Sequence, residues 1–414
     1  MSKELSKIVP NADELVLLKR LAPVEESHEN LVERFARVVW SRLVEPGDST
    51  ALKIIGLLGA KQALEALISQ QYSISEFDRK DSANYLSKKD LKNAFERWTQ
   101  RIDRAQSLKD MQRAVESNCK TLLPADSLWP NQLADLELHM PLILWTRGEQ
   151  ALLNSGSLAI VGARASTAYG EYVTNEFAHS AVRLGCSIVS GAAYGIDAVA
   201  HRSALSANGA TIAVLAGGAD RAYPAGHTEL LRRVASEGVV CSEMVPGAAP
   251  TRWRFLQRNR LIAALSRATL VTEAGMRSGS LNTAGHASHL GRSLGAVPGP
   301  INSVASLGTH RLLKEYDATL VTDDDDLKDL LGIPNHNYHS NYELNGVREP
   351  SIFRRVKDAM PLHTPATTSY VAKSAGLTIK EAATILLELE IIGEVEAISK
   401  ANQYDSEWKL KKRG

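Results

Sequence analysis

The sequence AIVGARAS (residues 159–166) joins a β-branched apolar run directly to a loop of small residues. Three later stretches repeat this arrangement: IVSGAAYG at 188–195, VLAGG at 214–218 and VTEAGMRSGS at 271–280. Helical spacing of apolar residues follows these loops, so the pattern predicts a strand, a tight loop and a helix. Because the carboxyl ends of parallel strands meet at one edge of a sheet, we expect the four loops to lie together.

The same alternation extends from residue 157 to about residue 331. Short β-branched runs alternate with longer segments of helical periodicity, such as 170–184 and 228–236. The predicted strands are 158–161, 187–190, 211–215, 239–242, 269–272, 294–297 and 319–321. Strand–helix alternation of this length predicts an α/β domain with a doubly wound parallel sheet.

The flanking segments differ in composition. Residues 1–28 are polar and charged and are expected to form a flexible tail, followed by an all-helical N-terminal domain at 29–118. The α/β domain is assigned to 119–331, and the Asn-rich, apolar-poor stretch 332–350 to a linker. Residues 351–414 contain three short helical patterns and a strand pattern, which predict a small winged-helix-like C-terminal domain.

The four loops carry residues suited to binding phosphate. Glycine lets a backbone approach a ligand closely, and helix N-termini present unpaired N–H groups at the positive end of the helix dipole. Hydroxyl donors stand in or just after the loops at Ser166, Ser190, Ser278, Ser280 and Thr283. One such loop has a simpler explanation, since glycine often only turns the chain. Four together favour a ligand that carries phosphate.

Two nucleotide-binding motifs are absent from the sequence. No GxGxxG follows the first predicted strand, where Gly162 stands alone before Arg164, which disfavours a nicotinamide or flavin enzyme. No GxxxxGK[ST] occurs anywhere, so there is no Walker A loop. We therefore expect no bound cofactor.

Charge is unevenly distributed along the 414 residues, whose net charge is only +1. Between Ser157 and Leu313 there is no lysine, but there are fourteen arginines against eight acidic residues. This segment therefore carries +6 and the rest of the chain −5. Arginine favours bidentate phosphate contacts and stacking on bases. The near-zero net charge of the whole chain excludes a protein that coats DNA through its overall positive charge. It is compatible with a localised basic groove.

The densest basic stretch reads RWRFLQRNR at 252–260. Its arginines alternate with Trp253 and Phe255, a combination typical of single-stranded nucleic-acid binding. The two aromatic residues could equally anchor a solvated loop to the core. For Arg258 and Arg260 we favour a binding role.

No pattern predicts a metal or catalytic site. His227-Thr228-Glu229 lacks the PCxxC partner of zinc deaminases, and the pair His286 and His289 has no visible third ligand. The three cysteines are widely separated, which fits a reducing cytosol, and no apolar run reaches the length of a membrane span. We expect a cytoplasmic protein that is not an enzyme.

Five blocks, taken in order, resemble the DNA-processing protein DprA (Smf) family. They are AIVGARASTAYG (159–170), IVSGAAYGIDAVAH (188–201), AVLAGGADRAYPAGH (213–227), RFLQRNRLIAALSRATLVTEAGMRSGSLNTA (254–284) and LGAVPGP (294–300). The resemblance covers about 122–331, and the flanking domains fit the family's arrangement. It implies an extended Rossmann fold that binds single-stranded DNA in natural transformation and recombination. It further implies transfer of strands to RecA and a homodimer formed through the Rossmann domain.

The resemblance also implies DNA-binding residues in four of these blocks. By position they are Gly162, Arg164 and Ser166, then Ser190 and Gly191, then Arg258, Asn259 and Arg260, then Ser278, Gly279, Ser280 and Thr283. The chain departs from the family pattern with FLQRNR in place of FPxRNR and GGAD in place of GCGxD. His227 stands where the family often has Asn. These differences affect the fine contacts of the pocket more than its existence.

Two other functions stay open at this point. Rossmann-like nucleotide phosphoribohydrolases of the LOG or lysine-decarboxylase-like type also bind phosphates at Gly-rich strand ends. In such an enzyme Glu273 would be the catalytic carboxylate, although the PGGxGT loop of those enzymes is absent here. Alternatively, the C-terminal domain binds duplex DNA or a protein while the α/β domain serves as a scaffold.

Overall fold

The computed structural model describes residues 9–69, 86–334, 351–362, 364–399 and 406–411. The chain divides into two compact units, residues 1–334 and 335–414. Most of the predicted linker, 335–350, lies outside the described residues, as do the first eight residues of the predicted tail.

The first unit begins with a layer of helices. They are α1 (Ala12–Leu21), α2 (His28–Leu43), α3 (Ser49–Leu58), α4 (Ala60–Ser69), α5 (Lys88–Thr99) and α6 (Arg104–Glu116). Trp40 and Trp98 meet edge to face in their core, with ring centroids 5.1 Å apart. The stretch expected to be a tail contains α1, which starts at a capping box on Asn11 and buries Leu18 and Leu21.

A nine-stranded sheet follows the helical layer. Its strands are β1 (Lys120–Leu122), β2 (Leu144–Gly148), β3 (Ser157–Gly162), β4 (Ser187–Ser190), β5 (Thr211–Leu215), β6 (Val239–Ser242), β7 (Ala268–Glu273), β8 (Ser293–Ala296) and β9 (Thr319–Leu320). Their spatial order is β1-β2-β6-β5-β4-β3-β7-β8-β9. Strands β3 to β9 pair in parallel, whereas β2 pairs antiparallel with both β1 and β6. The predicted doubly wound parallel sheet is confirmed.

Helices cover both faces of the sheet. They are α7 (Ala168–Arg183), α8 (Ile196–Ser206), α9 (Thr228–Glu237), α10 (Arg252–Leu265), α11 (Ser280–His289), α12 (Leu307–Glu315) and α13 (Asp324–Leu330). Side chains alternate along β3: Leu158 and Ile160 share a core with α7 and α8, whereas Ala159 and Val161 share one with α10. Burial on both sides explains why the strands read as continuous apolar runs.

The helical layer and the sheet are packed against each other. Trp145 of β2 and Val240 of β6 belong to the same buried cluster as Trp40 of α2. The boundary predicted between residues 118 and 119 therefore lies within continuous packing.

The chain reverses its direction across the sheet between β3 and β7. From β3 the strands proceed through β4, β5 and β6 on one side, while β7, β8 and β9 continue on the other. In open parallel sheets, ligands bind at the carboxyl edge beside such a switch point. The loops after β3 and β7 therefore flank the expected binding crevice.

The second unit is small and contains both helices and strands. It contains α14 (Ser351–Asp358), β10 (Ala366–Thr367), α15 (Thr368–Ala375), α16 (Ile379–Ile391), β11 (Val395–Ser399) and β12 (Glu407–Leu410). Strand β12 lies between β10 and β11 in an antiparallel sheet, over a core that includes Val371, Leu386 and Trp408. The winged-helix-like assignment stays a prediction. Across the described parts of both units, none of the helices has the length and apolar character needed to cross a bilayer.

Candidate functional site

A cavity of about 560 Å³, here called the switch-point cavity, opens between the loops that follow β3 and β7. Seven of the twelve residues predicted to bind DNA line it: Gly162, Arg164, Asn259, Ser278, Gly279, Ser280 and Thr283. The fold thus brings together three blocks that are spread over about 120 residues of the sequence. The residues of the remaining block, Ser190 and Gly191, lie beside the cavity rather than in its wall.

Backbone hydrogen bonds lock the loops around the cavity to one another. The Ala163 N–H donates to the Glu273 carbonyl oxygen at the end of β7 (2.8 Å), and the Ile196 N–H donates to the Ala163 carbonyl oxygen (3.1 Å). A Cβ on Gly162 would lie 2.6 Å from Ile196 Cγ1 and 2.7 Å from the Glu273 carbonyl oxygen. Glycine is therefore required at position 162 by this close approach alone.

The first turn of α11 forms one wall of the cavity. The positive dipole end of α11 lies at the cavity, because Gly279, which precedes the helix, and Ser280 both line it. The first N–H groups are already engaged: the Ser280 N–H donates to the Ser278 hydroxyl (3.4 Å) and the Leu281 N–H to the Ser278 carbonyl oxygen (3.2 Å). The Ser278 and Ser280 hydroxyl oxygens are 2.7 Å apart, and the Asn259 amide donates to Asn282 Oδ1 (3.1 Å). Paired hydroxyls at a helix N-terminus suit a phosphate group.

Arg164 forms the rim between the switch-point cavity and a neighbouring one. Its guanidinium carbon lies 5.1 Å from the centroid of the Phe255 ring, and the Tyr223 ring lies 5.6 Å from Phe255 on centroids. Beyond Phe255 is a second cavity of about 330 Å³, here called the aromatic cavity, whose lining includes Gly191, Arg221 and Tyr223. The exposed Arg164, the half-buried Phe255 and the exposed Tyr223 therefore follow one another along this edge.

Arg258 lies behind the loops and supports them. Its buried guanidinium donates to the carbonyl oxygens of Gly191 (2.7 Å) and Val214. Burial lowers the pKa of Arg258 to about 10, against the opposing attraction of Asp197, and burial raises the pKa of Asp197 in spite of Arg258. A Cβ on Gly191 would lie 2.5 Å from Arg258 Cζ. Arg258 therefore fixes the path of the loop after β4.

Two predicted hydroxyl residues are engaged within the protein. The Ser166 hydroxyl donates to Glu171 Oε1 (2.8 Å), on the first turn of α7. The Ser190 hydroxyl is fully buried and donates to the Ile160 carbonyl oxygen of the neighbouring strand (2.6 Å). Neither residue lines the switch-point cavity.

Arg260 lies away from the sheet edge. Its guanidinium is buried, pairs with Glu243 (2.7 Å) and donates to the His139 carbonyl oxygen (3.0 Å). It lines a different cavity, together with His286 and His289. In this position Arg260 joins α10 to the segment that precedes β2.

Two exposed arginines at the edge are not among the predicted site residues. Arg277 lines the switch-point cavity and Arg221 lines the aromatic cavity. Each follows a strand, β7 or β5, in a loop of small residues. Position in such a loop is the sequence signal that could have identified both.

The profile of the DNA recombination-mediator protein A family matches residues 120–332 of this chain. The chain belongs to this family. It is 40% identical over 330 residues to a putative DNA processing protein DprA of Mycobacterium tuberculosis, covering 76% of this chain and 82% of that protein. It is 37% identical over 288 residues to protein Smf of Escherichia coli, covering 67% of this chain and 75% of that protein. The X-ray structure of DNA processing protein A from Streptococcus pneumoniae aligns with a TM-score of 0.57 at 31% identity, covering 72% of this chain and 96% of that one.

In this member of the recombination-mediator family, Glu273, the carboxylate of the alternative enzymatic function, stabilises the fold. Glu273 is buried and accepts hydrogen bonds from the Thr167 N–H (2.9 Å) and the Thr167 hydroxyl (2.6 Å). It thereby holds the start of α7, and it is not part of the lining of the switch-point cavity. In the described part of the chain, His, Cys, Asp and Glu side chains form no cluster able to hold a metal ion.

Proposed function

We propose that this chain binds single-stranded DNA along the carboxyl edge of its sheet. The observation that carries the proposal is the switch-point cavity, where the start of α11 adjoins the exposed Arg164 and Arg277. The positive end of the α11 dipole, the hydroxyl groups of Ser278 and Ser280 and the two guanidinium groups together suit successive backbone phosphates. Membership in a family of DNA recombination mediators supports nucleic acid as the ligand.

The aromatic side chains favour a single strand over a duplex. Phe255 lies under Arg164 and beside Tyr223, which is 51% exposed. An unpaired base can stack on the exposed ring of Tyr223, whereas duplex bases already stack on each other. Stacking accepts every base, so we expect affinity to depend little on sequence.

We further propose that the protein is a mediator and not an enzyme. In this role it protects incoming single strands in the cytoplasm during natural transformation and recombination. It also helps to load RecA, and it works as a homodimer through the Rossmann-like domain. Family membership supports these roles, and the engagement of Glu273 with Thr167 argues against a hydrolase. Light scattering tests the dimer, and RecA-dependent strand exchange with and without the protein tests loading.

The DNA site is tested by fluorescence anisotropy with a labelled oligothymidylate across a salt titration. Arg164→Ala and Arg277→Ala should each weaken binding by about 5–10-fold, since a lost charge-assisted contact is worth roughly 1–1.4 kcal/mol. Each should also lower the log–log salt slope by about 0.7, because one phosphate contact is lost.

Arg267→Ala is the matched control for Arg277→Ala. Arg267 is also exposed, but it precedes β7 at the amino edge, whereas Arg277 follows the same strand at the carboxyl edge. Arg267→Ala should bind as the wild type does. Wild-type affinity in both edge variants, or an equal loss in the control, would contradict the proposed site.

A further inference from the structure

We propose that the bound strand continues from the sheet edge onto the N-terminal helical layer, into a cavity lined by arginines. The proposal rests on the proposed function and extends its footprint. The cavity, here called the arginine cavity, measures about 510 Å³ and lies between the helical layer and the loop joining β6 to α10. Its cationic lining consists of Arg42, Arg101, Arg113 and Arg254.

Acidic side chains hold three of these arginines in place. Arg42 pairs with the buried Asp110 (2.7 Å), and Glu45 pairs with both Arg101 (2.9 Å) and Arg254 (2.8 Å). Each guanidinium has five N–H donors in a planar fork, more than these partners accept. The pairs therefore orient the guanidinium groups and leave donors for an anion.

Arg113 differs from the other three. Its side chain is exposed, and within the described residues no acceptor forms a hydrogen bond with its guanidinium. It lies against Gly247 so closely that a Cβ there would collide with Arg113 Nη1, and Gly247 itself has φ of +83°. Burial raises the pKa of Asp110, and the charges of Arg42 and Arg113 only partly offset this. Within the described residues, Arg113 therefore interacts with Asp110 through its charge but forms no hydrogen bond through its guanidinium.

The arginine cavity adjoins the proposed DNA edge. Ala248 lines both the arginine cavity and the aromatic cavity, and its carbonyl oxygen accepts a hydrogen bond from the Gly218 N–H (3.0 Å) in the loop after β5. Consecutive residues of α10, Arg254 and Phe255, line the arginine cavity and the aromatic cavity respectively. A strand with a base on Tyr223, in the aromatic cavity, therefore meets these guanidinium groups next.

The charge of the lining suits phosphodiester groups. The two acids in the wall are already engaged: Asp103 accepts the Gln106 N–H at the start of α6 (2.9 Å), and Asp110 pairs with Arg42. A purely structural role would have the arginines fasten the helical layer to the sheet. That role explains Arg42, Arg101 and Arg254, whereas Arg113 interacts with Asp110 through its charge alone and fastens nothing by a hydrogen bond. Arg113 therefore separates the two interpretations.

The test measures binding of the full chain to oligothymidylates of about 6 and about 20 nucleotides, lengths that bracket a local and an extended footprint. Arg113→Ala should weaken binding of the long strand by about 3–10-fold and lower its salt slope by about 0.7, without changing binding of the short one. Arg20→Ala is the matched control, because Arg20 is exposed on α1 and lies outside the linings of the three named cavities. A thermal melt confirms that each variant is folded.

Arg164→Ala, measured in parallel, keeps the two proposals apart. If it weakens both strands while Arg113→Ala binds both as the wild type does, the extension is overturned and the edge site stands. Equal loss of both strands in Arg113→Ala also overturns the extension. If the wild type binds neither strand, or if neither Arg164→Ala nor Arg277→Ala weakens binding, the proposed function itself fails.

Discussion

Arg258→Met should destabilise the first unit through the buried loop after β4. The substitution removes a charged donor from the carbonyl oxygens of Gly191 and Val214 and leaves the carboxylate of Asp197 buried without its cation. Breaking such an arrangement costs about 3–5 kcal/mol. With an unfolding entropy of about 2.1 cal/mol/K per residue, a unit of 334 residues loses roughly 1.4 °C per kcal/mol, so the melting temperature should fall by about 4–7 °C.

The loss should depend on pH with a definite sign. Burial already holds the pKa of Asp197 above its unfolded value, and removal of Arg258 raises that pKa further. A carboxyl group whose pKa rises on folding lowers stability as the pH increases from the unfolded pKa through the folded one. The deficit of Arg258→Met should therefore be larger at pH 7 than at pH 5.

Differential scanning calorimetry of the full chain at both pH values measures these effects. Arg258→Met combined with Asp197→Asn should recover the pH-dependent part of the loss, about 1.4 kcal/mol for each unit by which the pKa of Asp197 had risen. The reasoning is refuted if Arg258→Met has the same melting temperature as the wild type. It is also refuted if the double variant is as unstable as the single one at both pH values.

Two further predictions concern stacking and a buried imidazole. Tyr223→Ala should cost about 1–3 kcal/mol of single-strand affinity in anisotropy measurements. Trp253→Ala should cost none, because this similarly exposed ring lines other cavities; the reverse order would contradict the stacking role. Burial lowers the pKa of His201 to about 3. The unfolded chain therefore binds more protons than the folded one in the range between about pH 6.5 and 3. The free energy of unfolding should fall as the pH drops from about 6.5 towards 3, by up to about 1.4 kcal/mol per pH unit. In denaturant titrations His201→Leu should flatten this dependence, and an unchanged slope would count against the assignment.

The sequence predicts the parallel part of the sheet because each strand there is apolar on both faces and is followed by a small-residue loop. The pattern does not predict strands β1 and β2, because they are antiparallel and no small-residue loop leads from either into a long helix. The N-terminal helix α1 escapes it for another reason. Six of its ten residues are apolar, but charged residues flank it on both sides, so the composition of residues 1–28 as a whole resembles that of a tail.

The candidate site shows why adjacent residues need not act together. Arg258, Asn259 and Arg260 are consecutive on α10, where each residue turns about 100° around the helix axis. Asn259 therefore faces the switch-point cavity, Arg258 supports the loop after β4 and Arg260 reaches Glu243 on another side. Sequence reasoning finds the stretch but not these directions, because they depend on how the helix docks on the sheet.

Cross-linking tests most directly where the strand lies on the protein. The full chain is irradiated with a thymine-rich single strand, and the cross-linked peptides are identified by mass spectrometry. We predict adducts on residues 221–223 and on Phe255, beside Arg164, and their loss in Arg164→Ala. Adducts confined to residues 351–411, with none at the carboxyl edge of the sheet, would contradict the proposed site.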